Sequence, residues 1–199
     1  MDGKLLGYID GAPALVNQQF LSLFPAAAIP AGTALVLVCR ASGGPGSPAP
    51  KPAAAPLALD QQFDTAIFDA INGARIANGL APLTMNASLR TAAKNYARLL
   101  LARNAFDHSL DGQPWDRALR EGYSSGVVGE VLALSATSEP LDVPSHTKLI
   151  IEAWLASPGH RDIILGTHFA FSEAGVGCAV GKNPDTLNVV ICSALAGVP

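Results

Sequence analysis

The sequence predicts an α+β domain, and two changes of pattern along its 199 residues lead to that prediction. Apolar residues recur three or four positions apart in several segments between residues 63 and 165, which is the spacing of amphipathic helices. After residue 172 the period changes, and two runs of small and β-branched residues flank a turn, as in a β-hairpin. We therefore expect a sheet with helices packed on its faces.

Residues 1–40 form a short N-terminal segment that stands apart from this domain. Two helical turns are expected over residues 14–23, and the sequence I-P-A-G leads into a strand over residues 33–38. A helix followed by I-P-A-G-T-x-L-x-L resembles the second half of a LysM wall-binding module. Because the first half is missing, the segment is interpreted as a degenerate LysM-like remnant or a truncated flank.

A linker follows at residues 41–59 and divides the chain. Residues 41–58 hold five prolines, three glycines and six alanines. Such a composition cannot bury a core, so it is typical of an extended, semi-rigid connection. The folded domain is therefore expected over residues 60–199.

Five helices are expected in the domain. Asn86 is a suitable cap for the second helix, and Pro114 begins the third. A fourth helix is expected over residues 145–156, and Ser157 with Pro158 starts a fifth. The residues expected to face the core are Phe63, Ile67, Ile71 and Ala74 in the first helix, Leu89, Ala93, Tyr96 and Leu100 in the second, Trp115 in the third, and Leu149, Ile150, Ala153 and Trp154 in the fourth.

The hairpin at the end of the chain carries two of the three cysteines. Its strands are expected over residues 173–180 and 187–193, with the turn at 183–185. Cys178 and Cys192 are nearly symmetric about that turn, so they can lie opposite each other. A cross-strand disulfide and a reduced buried pair are both compatible with this position.

Composition excludes several classes of function. Only 15% of the residues are charged, against about 25% in an average chain. Yet no apolar run approaches the roughly 18–20 residues of a membrane-spanning helix. The net charge of −3 and the lack of basic runs exclude nucleic acid as a partner and electrostatic docking on anionic lipid. A cationic segment followed by an apolar stretch is missing at the start, so no signal peptide is recognisable.

Three residues are the candidates for chemistry. His108 lies in the polar loop F-D-H-S, Glu130 follows a glycine-containing run, and His160 falls in the first turn of the fifth helix. The helix dipole at that position disfavours an imidazolium, so His160 is expected to be neutral and able to act as a ligand or a base. From spacing alone, a structural hydrogen bond explains each histidine equally well.

Several ordered motifs give the domain a family resemblance. Residues 154–165, WLASPGHRDIIL, resemble the W-x-x-S-P-G-H-R-x-x-I-L signature of bacterial CAP-superfamily (SCP-like) domains. This superfamily also includes cysteine-rich secretory proteins, antigen 5 and plant pathogenesis-related proteins. The other matching motifs, in the family's order, are N-x-x-R-x-x-x-G-L-x-P-L at residues 72–83, F-D-H-S at 106–109, D-G-Q-P-W at 111–115, G-Y at 122–123, G-E at 129–130 and E-x-G-V-G at 173–177.

The resemblance implies a three-layer α-β-α sandwich with a central antiparallel sheet and a large open cleft. By motif, His108, Glu130 and His160 line that cleft, and in some members the two histidines bind a divalent metal. Ser157 stands where many eukaryotic members have a second acid. Two imidazoles fill only half of a tetrahedral zinc shell, and Asp107 and Asp111 are close enough in sequence to add ligands.

Three hypotheses for function follow from the resemblance. The first is a secreted or envelope-associated binding module whose cleft takes a lipid, a wall fragment or a peptide. The second is a zinc-assisted hydrolase in which His108 and His160 hold the metal and Glu130 is the base. The third is a structural domain with a relic cleft. The remaining histidines, His146 and His168, are expected to cap or flank helices, and Arg75, Arg161 and Asp162 are expected to form a structural ion-pair set.

Overall fold

A computed structural model describes residues 3–9, 12–17, 57–124 and 127–199, which belong to two compact units, Met1–Ala53 and Ala54–Pro199. In the first unit, β1 (Gly3–Ile9) and β2 (Ala12–Asn17) pair as an antiparallel hairpin. Residues 14–17 are therefore in a strand, and the helix expected from residue 14 is wrong there. The strand expected over residues 33–38 lies outside the described residues, and the LysM-like interpretation stays a prediction.

The second unit contains the five expected helices and the final hairpin in the predicted order, and it adds two strands between the helices that were not predicted from the sequence. Its helices are α1 (Leu59–Ala77), α2 (Ala87–Arg103), α3 (Pro114–Arg120), α4 (Val143–Ala156) and α5 (Pro158–Leu165). Its strands are β3 (Thr84–Met85), β4 (Val128–Thr137), β5 (Glu173–Lys182) and β6 (Asn188–Gly197). None of the helices in the described ranges combines the length and the apolar character that crossing a membrane requires.

Local side-chain chemistry sets the ends of these helices. The Asn86 side chain accepts hydrogen bonds from the backbone N–H groups of Ser88 and Leu89, so α2 begins where it was expected. The Asp142 carboxylate accepts from the N–H of Ser145 and begins α4 two residues earlier than expected. Gly166 ends α5 in the left-handed conformation, with φ of 68°.

The four strands form one sheet in the order β3-β5-β6-β4. The three long strands are antiparallel, whereas the short β3 pairs in parallel with the start of β5. The predicted α+β class is confirmed, with a sheet that is mixed because of this two-residue addition.

Helices cover both faces of the sheet, as alternating strand residues indicate. Val131 and Ala133 of β4 pack in one core with residues of α1, α4 and α5. Leu132, between them, packs on the opposite face with Tyr96 and Leu100 of α2. The sheet is thus the middle layer of an α-β-α sandwich.

Two glycines of β5 allow α2 to lie directly on the sheet. A Cβ atom at Gly175 would lie 2.0 Å from the backbone nitrogen of Arg90, and one at Gly177 would lie 2.1 Å from that of Lys94. Any larger residue would push the helix away. The E-x-G-V-G motif is therefore a packing device in this fold.

Cys178 and Cys192 form a disulfide between directly opposite residues of β5 and β6, with Cα atoms 4.0 Å apart. The backbone of Cys178 turns its polar groups away from β6. Its N–H donates to Oδ1 of Asp64 at 2.6 Å, and its carbonyl accepts from Nζ of Lys94 at 2.6 Å. A buried ion pair between Asp64 and Lys94 thus takes the place of a neighbouring strand.

Three expected core positions differ from the structure. Trp154 is buried and donates from its indole Nε1 to the Leu132 carbonyl, but Trp115 is about half exposed. Leu149 and Ala153 of α4 are exposed as well, because the sheet below them ends at β4.

The expected ion-pair set of Arg75, Arg161 and Asp162 differs too. Within the described ranges no ion pair joins Arg75 to the other two residues, and its buried side chain donates instead to three backbone carbonyls. Those carbonyls belong to Ala81, Ile164 and Phe171.

Candidate functional site

Glu130 is the buried centre of the candidate site. Its side chain is 1% exposed on β4, and both carboxylate oxygens have partners. Oε1 accepts from Nη2 of Arg117 at 2.7 Å and from Oγ of Ser193 at 2.8 Å. Oε2 lies 2.8 Å from Nδ1 of His108. A buried carboxylate needs such charge-assisted bonds to remain stable in its ionised form.

Arg117 of α3 connects Glu130 to the loop that carries His108. Its guanidinium carbon lies 3.5 Å from the centre of the Tyr96 ring, and its Nη1 donates to the carbonyls of His108 at 2.8 Å and Gly112 at 2.5 Å. The hydroxyl of Tyr96 in turn donates to the carbonyl of Asp107. The loop is therefore fixed on both sides of the histidine.

These contacts decide which ring nitrogen of His108 is left free for a ligand. An ionised carboxylate only accepts hydrogen bonds, so Nδ1 of His108 carries the proton that Glu130 accepts. In the neutral ring, Nε2 then keeps its lone pair. Because the His108 side chain is 48% exposed, that nitrogen is accessible to a ligand.

His160, in the first turn of α5, is the second imidazole of the site. Burial lowers the pKa of His160, and the positive charge of His108 lowers it further. The lowered pKa favours the neutral ring that was expected, through burial and His108 rather than through the helix dipole. Ser157 lines the same depression as His160.

An apolar depression of about 510 Å³ is lined by His160 and by residues 132–135 of β4, and we call it the β4 groove. Three of its large apolar side chains, Phe106, Leu134 and Leu149, are between 48% and 58% exposed. They come from the loop after α2, from β4 and from α4. The other residues that line it are Leu132, Ala133, Ser135, Ile150, Ala153, Trp154 and Ser157.

The side chains around His108 and His160 are only partly suited to bind a metal ion. A carboxylate on the remote ring nitrogen is the usual partner of a metal-binding histidine, and Glu130 has that position toward His108. Asp107 instead accepts from Ser109, and Asp111 pairs with Arg120. Within the described ranges, no three His, Cys, Asp or Glu side chains form a group that could hold a metal ion.

The remaining sequence candidates lie in structural contacts. Nδ1 of His146 is 2.8 Å from the carbonyl of Asp142, at the start of α4. His168 lies 3.4 Å from the carboxylate of Asp162, just beyond α5. The sequence thus indicated His108, Glu130 and His160 but missed Arg117, Ser193 and Tyr96. No local pattern distinguishes buried Arg117 from its neighbour Arg120, which is exposed.

A bacterial protein of similar sequence is known. The chain is 29% identical over 117 residues to the uncharacterized protein YkwD of Bacillus subtilis (strain 168). The match covers 58% of this chain but only 42% of the Bacillus protein. The chain thus corresponds to less than half of that relative.

Solved structures resemble the fold. An outer surface protein of Borrelia burgdorferi is similar with a TM-score of 0.53 and 22% identity, over 71% of this chain and 95% of that one. An extracellular protein of Bacillus anthracis that contains an SCP domain gives a TM-score of 0.49 and 23% identity, over 70% of this chain and 44% of that one.

The sequence pattern of one family covers most of the folded unit. The cysteine-rich secretory protein family, CAP, matches residues 68–194, which include all five helices in part or whole, both histidines of the site and the disulfide. This match confirms the resemblance seen in the motifs, and the chain belongs to the CAP family.

Proposed function

We propose that the domain is an extracellular or envelope-associated binding module whose β4 groove holds the apolar part of a ligand. The observation that carries this proposal is the convergence of three exposed apolar side chains, Phe106, Leu134 and Leu149, on one groove that His160 also lines. Exposed apolar side chains gathered in a concave site favour ligand binding.

The charge of the groove restricts the ligand. None of its lining residues carries a charge when His160 is neutral, and the lowered pKa of His160 favours that state. A strongly charged ligand would lose its hydration there without gaining a partner. We therefore expect an uncharged or weakly polar segment in the groove, with a hydrogen-bonding group near the imidazoles of His160 and His108.

The disulfide supports an extracellular or envelope location. The disulfide between Cys178 and Cys192 is fully buried, and such bonds persist in oxidising compartments rather than in the cytosol. The proline- and alanine-rich linker at residues 41–59 is suited to hold the domain away from an attachment point.

Two exposed leucines provide a matched test. Leu149 lines the groove and is 58% exposed, whereas Leu119 of α3 is 55% exposed and is not one of the lining residues. A panel of fatty acids, muropeptides and short peptides is added while the melting temperature is recorded. We expect at least one class to raise the melting temperature by mass action, in Leu119→Asp but not in Leu149→Asp. No shift with any class, or equal shifts in both variants, would contradict the groove as the site.

A divalent metal is a second proposal for the same cleft, and the hydrogen bond between Glu130 and His108 is the observation that favours it. His108 and His160 would hold the ion, which would polarise a bound oxygen. Hydrolysis in addition requires a free base, whereas Glu130 is held by Arg117 and Ser193. Metal analysis of the protein after dialysis against zinc tests the proposal, since His160→Gln should lose the metal and His146→Gln should keep it. Equal metal content in the two variants would rule out this site.

A further inference from the structure

The floor of the β4 groove is the outer edge of a β-strand. Successive strand residues point to opposite faces of a sheet, and Leu132 and Ala133 do pack in different cores. Yet Leu132, Ala133, Leu134 and Ser135 all line the same groove. Only a groove that runs along the edge of the sheet can contact residues of both faces.

The register of the sheet shows which backbone groups point into this groove. Cys178 turns its N–H and carbonyl away from β6, so its partner Cys192 turns the same groups toward β4 and bonds Ala133. The backbone groups of Leu132, Leu134 and Ala136 then point outward. The indole of Trp154 confirms this direction, because it donates to the outward carbonyl of Leu132.

Most of these outward groups have no partner among the residues that the structure describes. In the described part of the chain, no strand pairs with the outer edge of β4, and no hydrogen bond reaches the backbone N–H or carbonyl of Leu134 or Ala136. Proteins usually protect such an edge with lysine, proline or a bulge. From Val131 to Thr137 this strand has no charged residue and no proline, and its pairing with β6 is regular.

We propose that the ligand of the β4 groove is an extended peptide, which adds to the sheet as a further strand beside β4. The proposal rests on the binding function proposed above and names the class of ligand. Unpaired N–H and carbonyl groups alternate in partial charge along the edge, and another peptide backbone matches that alternation. A lipid chain would cover these groups without bonding to them, at the cost of burying polar atoms.

The size of the groove favours a short segment. Four residues of β4 form its floor, which corresponds to about 13 Å of extended chain. Phe106 on one side and Leu149 on the other make the site concave. A second copy of the domain fits less well, because the helices that flank its own β4 would meet Phe106 and Leu149. We therefore expect the partner to offer an exposed, uncharged peptide whose apolar side chains occupy alternate positions.

The first experiment uses a library of biotinylated random octapeptides on the intact protein. The tightest binder is then N-methylated at one backbone amide at a time. A strand bonds its neighbour through every second residue, so we expect about tenfold weaker binding at alternate positions and little change between them. Uniform sensitivity, or none, would overturn strand addition.

The second experiment changes the protein. Leu134→Pro and Leu134→Ala both remove the leucine side chain, but only proline also removes the outward N–H. Because that N–H bonds nothing in β6, proline leaves the ladder intact at this position. We expect Leu134→Pro to bind the selected peptide about tenfold more weakly than Leu134→Ala. Equal affinities of the two variants would contradict the proposal.

Amide hydrogen exchange keeps the test independent of how well the proline variant folds. In the unmodified protein, we expect the peptide to slow exchange at the Leu134 amide. Protection that rises with protein concentration in the absence of peptide would overturn the proposal in favour of a second copy. If fatty acids raise the melting temperature and no peptide binds, strand addition fails while the groove function stands. If neither fatty acids nor peptides bind, both strand addition and ligand binding in the β4 groove fail.

Discussion

The two edges of the sheet are treated in opposite ways. At the edge formed by β5, which we call the closed edge, β3 pairs with the first residues, and Asp64 and Lys94 bond both backbone groups of Cys178. At the edge formed by β4, the open edge, the indole of Trp154 donates to the Leu132 carbonyl, and the outward backbone groups of Leu134 and Ala136 have no partner among the described residues.

This difference shows which edge of the sheet is bonded by the protein's own side chains and which edge is left free to bind a partner. A buried ion pair is a costly substitute for a strand, because two charges must be desolvated and then bonded. The closed edge includes this cost at Cys178. The open edge is bordered instead by exposed apolar side chains and by His160, so it is suited to bind a ligand.

The largest expected effect is at the closed edge. Asp64→Ala removes the more buried of the two carboxylates that pair with Lys94 and leaves the N–H of Cys178 without an acceptor. We expect a loss of about 4 kcal/mol in the free energy of unfolding, measured by urea denaturation. The control is Asp60→Ala, since Asp60 pairs with the same lysine but is more exposed, and it should cost about 0.5 kcal/mol. Similar losses in the two variants would show that Asp64 does not close the edge.

The disulfide beside this edge gives the second effect. It closes a loop with a sequence separation of 14, and a loop of that size contributes about 3 kcal/mol by restricting the unfolded chain. We expect the double variant with Cys178→Ala and Cys192→Ala to lose about that amount in urea denaturation. Because the third cysteine, Cys39, is outside the hairpin, Cys39→Ala is the control. An unchanged free energy of unfolding would mean that the bond stabilises little.

Proline substitution measures the openness of the β4 edge directly. Ser135 turns its backbone toward β6 and Ala136 turns away from it, by the alternation established at Ala133. We expect Ser135→Pro to lower the free energy of unfolding by about 2 kcal/mol more than Ala136→Pro, because only the first removes a ladder bond. Thermal denaturation followed by circular dichroism compares them. An equal cost at both positions would indicate that the edge is not open.

The smallest effect concerns the pH dependence of stability that arises from His160. Burial and the charge of His108 lower the pKa of His160, so the folded protein binds a proton there less tightly than the unfolded chain does. The resulting stability is present above the unfolded pKa of about 6.5 and decreases as the pH falls through the lower folded value. NMR titration of the imidazole should give a pKa below that of the unfolded chain, and His108→Gln should raise it. A value for His160 that His108→Gln leaves unchanged would contradict the contribution of that charge.

Much of the fold was predictable because local patterns determine it. Asn86 predicted the start of α2, and the period change at residue 173 predicted the hairpin of β5 and β6. Leu149 shows the limit of such patterns. Its helical spacing is that of a core residue, but the sheet beneath α4 ends at β4, and the side chain therefore borders the groove.

The candidate site, like the fold, was predictable only in part. The motifs indicated His108, Glu130 and His160. Nothing in the sequence indicated that Arg117 and Ser193 donate hydrogen bonds to Glu130, which stabilise its charge and fix its orientation. These partners are 13 and 63 residues from Glu130 along the chain. Hydrogen bonds over such separations depend on how helices pack on strands, which the spacing of residues does not encode.

The sequence by itself determined the class of fold, the order of the helices and of the final hairpin, the family and the pair of histidines, because periodicity, caps and motifs are properties of neighbouring residues. It did not indicate β3 or β4. Only the tertiary structure decided which sheet edge is closed by Asp64 and Lys94 and which is left open along β4. The physical reason is that a strand has two identical rows of backbone groups. Which row finds partners is decided by the elements that fold against it.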